Sequence, residues 1–503
     1  MSKAFEIISN TALTYDQQLK ALAGLGESTD TTLVQSEAFL AAKEKGIICD
    51  LNEGVMPYRP RYIAPDYAVL MEQGSRFLNI EKPTDIWEAT NALLILYKHV
   101  PSITTFPVYL GNFDELFAPF IKDEEEARKA LKLFLIHIDR TLTDSFVHAN
   151  LGPKITKAGE IILDLTRELQ LAIPNLTLLY DESITTNSSA EHAISVMLET
   201  AKPSFANNPM FLKDFANRPY SVVSCYNGLL IGGGGFTLPR VRLATMAKEA
   251  KDAEDFINRI LPYYTDVMLK HMDDRIAFIV EKSAFFKSNF LVKEGFIHQD
   301  RFVGLFGVVG MAECVNQLMG VTDPKKGYGH NDACDALGVR IMDALEQQVL
   351  SHKTKYCDAF DHHHILHAQV GIDSDNMDNS PGCRIPVFME PAMPKQIMHS
   401  TKFHKYFPSG IGDIFKFDET WKNSPAALLD IIKGAHKAGM RYFSGYLESS
   451  DVVRVTGYLV KKSELAKLDK GEQSINQVSV FGQGARNTAH ALDRKVQDEE
   501  SRH

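Results

Sequence analysis

Residues 452–460 read Val-Val-Arg-Val-Thr-Gly-Tyr-Leu-Val: β-type side chains on both sides of one glycine, Gly457, with Arg454 before it and Tyr458 after it. Glycine weakens a strand, and where it occurs in one it usually marks a bulge or a close backbone approach. Upstream, the β-rich run 221–225 ends in Tyr226-Asn227-Gly228, a turn signal, so Cys225 falls at a strand end. Four glycines follow at 232–235. They match neither GxGxxG nor a P-loop, and are expected to let the chain pass close to other backbone rather than to cradle phosphate. Asn175–Tyr180 reads as a strand, and Ser188-Ser189-Ala190-Glu191 opens a helix through Met197 and Leu198. Helical spacing recurs over 123–144, 241–282 and 333–353, and again over Pro425–Ala438. Four prolines and Gly382 within 381–394 mark the internal boundary, which divides the chain into 1–383 and 384–503. The pattern alone shows a mixed α/β protein.

Arg454, Val455, Thr456, Gly457 and Tyr458 resemble the radical-bearing segment of the glycyl radical enzymes, whose pattern is Arg, a β-branched residue, a small residue, Gly, Tyr; Ser, Cys or Ala is usual where Thr456 stands. The residue type follows from the chemistry. With no Cβ, a radical on the glycine Cα can lie planar and spread into both flanking amides. Such an enzyme also needs a cysteine that passes its S–H hydrogen to the glycyl radical and becomes a thiyl, and Cys225 is expected to be that residue. Its stretch, SCYNGLLIGGGGFTLPRVRLA (224–244), is similar to the thiyl-loop region of the anaerobic (class III) ribonucleotide reductases, down to Thr237-Leu238-Pro239-Arg240. Two further blocks carry the resemblance over much of residues 220–460: RFVGLFGVVGMAECVNQLMG (301–320), and 409–444 with its Gly-Asp-Ile turn, Asn423-Ser424-Pro425 and Tyr442-Phe443.

The departures narrow it. The two zinc-binding CxxC pairs of those reductases are missing, an N-terminal ATP-binding domain is not recognised, and Tyr226-Asn227 replaces Arg-Ser. The paired cysteines of pyruvate formate-lyase are absent, and Asn227 stands where the dehydratases and lyases place a glutamate. What remains is similar to the YjjI group of glycine radical proteins. The resemblance implies a ten-stranded α/β barrel with surrounding helices, in which the Cys225 and Gly457 loops meet, shielded from water and oxygen. It also implies a radical-SAM iron–sulfur activating enzyme as partner, a homodimer, and hydrogen abstraction from a small organic substrate by the Cys225 thiyl. The alternatives are nucleotide reduction, a non-catalytic binding protein on the same scaffold, and a metal hydrolase at the histidine cluster of 362–367.

Composition agrees with a small-molecule enzyme. The chain has 503 residues, 45% hydrophobic and 23% charged, with a net charge of −10 that disfavours nucleic acid. No apolar run approaches the ~18 residues of a membrane span, and no signal peptide is evident, so a cytoplasmic location is expected. The six dispersed cysteines are read as reduced thiols. Cys383 is the main rival to Cys225, and Cys314 is read as a small core residue. Supporting roles are expected for Arg454, Tyr458 and Asn227, with His404 and Asp413 as further acid/base candidates; the plainer reading of that pair is an Asp-stabilised turn beside a surface histidine. Asp361, His362, His363 and His364 with His367 form the best metal candidate, through His363 and His367 one helical turn apart. No metal is expected there, and the run is expected to lie outside the Cys225 cavity.

Overall fold

The computed structural model describes residues 2–27, 33–50, 53, 57–100, 106–142, 144–368, 379–475 and 494–497. Two sheets dominate it. The first contains five strands in the order Asp413–Phe417, Tyr442–Leu447, Ser204–Asn207, Asn175–Tyr180 and His148–Leu151. Neighbours run parallel except at Tyr442–Leu447 against Ser204–Asn207. All five strands are buried along their whole length, as parallel strands covered on both faces must be. The sheet draws on chain from both sides of residue 383.

The second sheet is built around Phe302–Val309, which pairs in parallel with Ile365–Ala368 on one side and with Gly233–Thr237 and Arg240–Arg242 on the other. Those two short strands are one line of chain interrupted at Leu238-Pro239, where proline has no N–H for the ladder. The glycine block does bring backbones together: a Cβ on Gly234 would sit 2.1 Å from the Tyr62 carbonyl oxygen. Ile48–Cys49 and Tyr62–Ala64 complete this sheet as antiparallel edges. Among the described residues no strand ladder joins the two sheets, so the α/β architecture is plain and a closed ten-stranded barrel is not established by these ladders.

Helices cover the sheets. Glu124–Thr141 begins at Asp123, whose side chain caps the Glu126 N–H, and it buries Leu131, Phe134, Leu135 and Ile138. The helix expected from Ser188 starts at Asn187, capped by Thr186. Two expectations fail. Residues 240–242 join the second sheet before the helices of the 241–282 region begin. The histidine run is not helical either: His362 has a left-handed φ of 60°, and Ile365–Ala368 is a strand because Ile365 and Leu366 are taken into the ladder of Phe302–Val309. None of the described helices is long and apolar enough to cross a membrane.

Candidate active site

A tight finger turn and a second hairpin meet between the sheets. The antiparallel strands Tyr220–Val223 and Asn227–Leu230 leave Ser224, Cys225 and Tyr226 to reverse the chain, with Ser224 at φ 58°. Each sheet anchors this finger. From the five-strand sheet, Asn150 brackets Val222, donating to its carbonyl (2.8 Å) and accepting from its N–H (2.9 Å). His148 Nδ1–H donates to the Ser224 carbonyl (2.9 Å), while Nε2 accepts from the Thr177 hydroxyl (2.8 Å), which in turn accepts from Tyr442 (2.6 Å). Since a carbonyl can only accept, this chain sets the tautomer of a neutral imidazole. Burial brings its pKa down to about 3. From the other sheet, the Ala368 carbonyl accepts the Tyr226 hydroxyl (2.8 Å), and Tyr62 approaches Ser224 and Cys225.

The second hairpin pairs Val452–Arg454 with Leu459–Lys461, and its loop carries Val455, Thr456, Gly457 and Tyr458. A Cβ added to Gly457 would lie 1.8 Å from the Cys225 Cβ and 3.1 Å from its Sγ. No side chain fits there. The Gly457 Cα is therefore no farther from the sulfur than 3.1 Å plus one carbon–carbon bond of about 1.5 Å. The hydrogen that an L side chain would replace points at Cys225. The Gly457 carbonyl accepts from Asn175 Nδ2 (3.2 Å) and Arg454 Nη1 (3.3 Å), and Arg454 is itself held by Asn175 Oδ1 and the Ala201 carbonyl. Burial brings the Arg454 guanidinium down to about 10, so it stays charged at neutral pH.

Cys225 is 4% exposed, and its S–H donates to Asn227 Oδ1 at 2.8 Å. Burial pushes the thiol up to about 11, which keeps the hydrogen on sulfur at neutral pH. Such a group suits hydrogen-atom transfer better than nucleophilic attack. Cys314 and Cys383 are buried in a separate apolar core beside the second sheet, with the Tyr328 hydroxyl on the Cys383 carbonyl. The three atoms nearest the added Gly457 Cβ all belong to Cys225.

Tyr458 is 7% exposed with its ring 5.2 Å from Phe146. His404 and Asp413 are paired at 3.1 Å, and His404 is buried, not at the surface. The Arg441 N–H donates to His404 Nδ1 (2.9 Å), so Nε2 carries the proton toward Asp413. Burial opposes ionisation of Asp413, yet His404, Ser400 and Arg384 hold its carboxyl well below the usual range. Asp413 borders a cavity of about 280 Å³ with Thr456, Arg384, Gln396, Glu390 and Arg494. Arg384 links this cavity to the finger: its guanidinium stands 5.6 Å from the Tyr226 ring and its Nε donates to the Gly412 carbonyl. The histidine run divides. His362 is exposed and His363 partly so, whereas His367 is buried with its ring 5.9 Å from that of Tyr226, next to the finger.

Sequence reasoning missed His148, Asn175, Thr177, Tyr62 and Arg384. Asn175 opens a strand that was read for its apolar run, and Arg384 adjoins Cys383, so each was visible only as a neighbour of something else.

Residues 13–497 match the family model for YjjI-like glycyl radical enzymes. An uncharacterized protein of Haemophilus influenzae is 43% identical over 492 residues, covering 97% of this chain and 96% of its own length. The uncharacterized protein YjjI of Escherichia coli is 40% identical over 456 residues, covering 90% and 88%. Among solved structures, an anaerobic ribonucleotide reductase superposes with a TM-score of 0.68 at 13% identity, over 99% of this chain and 90% of that one. Hydroxyproline dehydratase from Clostridioides difficile gives 0.67 at 11%, over 98% and 88%. At these identities the solved structures speak to the fold.

Proposed function

The chain belongs to the YjjI-like glycyl radical enzyme family, and on that premise we propose that Gly457 carries the radical and Cys225 is the thiyl residue. The observation that carries the proposal is the contact between them, in which an added Cβ at Gly457 would meet Cys225 at 1.8 Å. The glycyl radical takes the hydrogen atom from Cys225 S–H, regenerating a Gly457 CH₂ and leaving a thiyl. The thiyl takes a hydrogen atom from a substrate C–H, and the substrate radical rearranges or eliminates. The product radical then recovers hydrogen from Cys225, and the thiyl recovers it from Gly457. Asn175 and Arg454 both donate to the Gly457 carbonyl, which supports a role in holding flat the amide over which the electron spreads.

The substrate is a small organic molecule; the cavity of about 280 Å³ bordered by Thr456 and Arg384 adjoins the Gly457 loop, and a substrate held there must reach past its lining to meet Cys225. The two sheets are read as the halves of a ten-stranded barrel. Residues 1–383 bear the thiyl loop and 384–503 the radical loop. A radical-SAM iron–sulfur enzyme generates the radical, since the chain has no clustered cysteines to do so, and the working form is a cytoplasmic homodimer acting without oxygen. Anaerobic activation by a matched activase should give an EPR doublet, split by the one remaining α-hydrogen, that Gly457→Ala abolishes. Exposure to oxygen should cut the chain at Gly457 and release a fragment beginning near that residue. A competent activase that yields neither doublet nor fragment would refute the assignment.

A further inference from the structure

Three metal-ligating side chains converge away from the radical site. Asp273 lies on the helix Leu261–Ala277, His352 caps the C-terminus of the helix Asp332–Ser351, and His364 precedes the strand Ile365–Ala368. Both imidazoles point Nε2 at the one carboxylate: His352 at 2.7 Å from Oδ2 and His364 at 3.1 Å from Oδ1. All the ligand atoms lie within 4.8 Å of one another, and the two rings are nearly parallel with centroids 5.8 Å apart. A tetrahedral divalent ion with bonds of about 2.0–2.2 Å sets ligand atoms about 3.3–3.6 Å apart, so the two imidazole–carboxylate hydrogen bonds, at 2.7 and 3.1 Å, would have to open by less than about 1 Å to admit it.

The shell behind these ligands is built. His364 is fully buried, and its Nδ1 faces Cys357 Sγ at 3.9 Å. The strand packs flush against its ring at Gly304, where a Cβ would come within 2.2 Å of Nδ1. Held orientation of the second ring nitrogen is what a ligating histidine requires. Asp273 and His352 keep 29% and 26% of their side chains exposed, which leaves an entry path and a side open to water. The neighbouring histidines are engaged otherwise: His363 Nε2 with Lys353 Nζ (2.8 Å) and His362 Nδ1 with the Tyr356 carbonyl (3.1 Å).

We propose that Asp273, His352 and His364 form an open three-ligand site for a divalent transition-metal ion of the zinc class. The site differs from the helical His363/His367 pair that the spacing suggested, and it does not depend on the radical chemistry. It sits at the start of the strand whose last residue, Ala368, holds Tyr226 of the finger, so the ion would brace that strand against two helices. The test is titration of the full chain, stripped with EDTA, with Co²⁺ followed by visible absorption and with Zn²⁺ followed by calorimetry. One equivalent should bind, with a d–d spectrum of low coordination number. Asp273→Asn and His364→Gln should each weaken binding at least tenfold, while His363→Gln keeps it. Absence of stoichiometric binding in the wild type would overturn the site, whatever the variants do. Equal loss in His363→Gln, or none in Asp273→Asn and His364→Gln, would also overturn it.

Discussion

At the scale of single residues, position 457 joins a packing demand to the chemistry proposed for it through one feature, the missing Cβ. Alanine there would collide with Cys225 and also deny a radical its planar, unhindered Cα. Cys225, kept protonated by burial, is the complementary case, since the role proposed for it needs the S–H it retains. Asp144 shows burial acting on stability. It is 1% exposed, and burial raises its carboxyl to about 7 although Oδ1 accepts the Phe146 N–H. Unfolded, the group titrates near 3.9. From about pH 4 to pH 7 the folded state therefore binds the extra proton, stability falls as pH rises through this window, and above it the loss is complete. Asp144→Asn removes that titration. At pH 8 the variant should be the more stable by up to about 4 kcal/mol, at 1.36 per pKa unit, and near parity at pH 4, measured by thermal or urea unfolding at both values. Phe146 in turn packs on Tyr458, so this loop also supports the Gly457 hairpin.

At the scale of elements, the finger hairpin is positioned by side chains of the strand His148–Leu151 rather than by a ladder to either sheet. Asn150→Ala would orphan the N–H and carbonyl of Val222, both buried, at about 1–3 kcal/mol for each group. The urea midpoint should drop accordingly, with the slope unchanged. The turns that present Gly457 and Cys225 were legible in the sequence because turn chemistry and motif are local. Their supports were not. Asn175 reaches Gly457 across 282 positions and His148 reaches Ser224 across 76, and no local pattern encodes such a partner. The histidine run was misjudged for a related reason: the spacing of His363 and His367 suits a helix, but the apolar Ile365 and Leu366 between them gain more in the ladder of a buried parallel strand. In sequence His404 reads most plainly as a surface residue, since nothing local announces that Asp413 and Arg441 enclose it.

At the scale of the whole molecule, the two sheets and the finger between them bring together residues 232 positions apart, Cys225 and Gly457, in an enclosed space. The Gly457 hairpin has no ladder to either sheet among the described residues, and its hold rests on Arg454, Asn175 and apolar packing. A fold of this kind matters to the chemistry only if hydrogen passes between the two residues. The most direct test follows the one hydrogen left on the Gly457 Cα. In D₂O the Cys225 thiol becomes S–D, and each transfer to and from the glycyl radical offers a chance to exchange that hydrogen for deuterium. Activated wild-type protein moved into D₂O should see its EPR doublet collapse toward a single line, while activated Cys225→Ser keeps the doublet, because a serine O–H is too strong to surrender its hydrogen. A doublet that persists in the wild type, or one that collapses in Cys225→Ser, would contradict the pairing of Cys225 with Gly457.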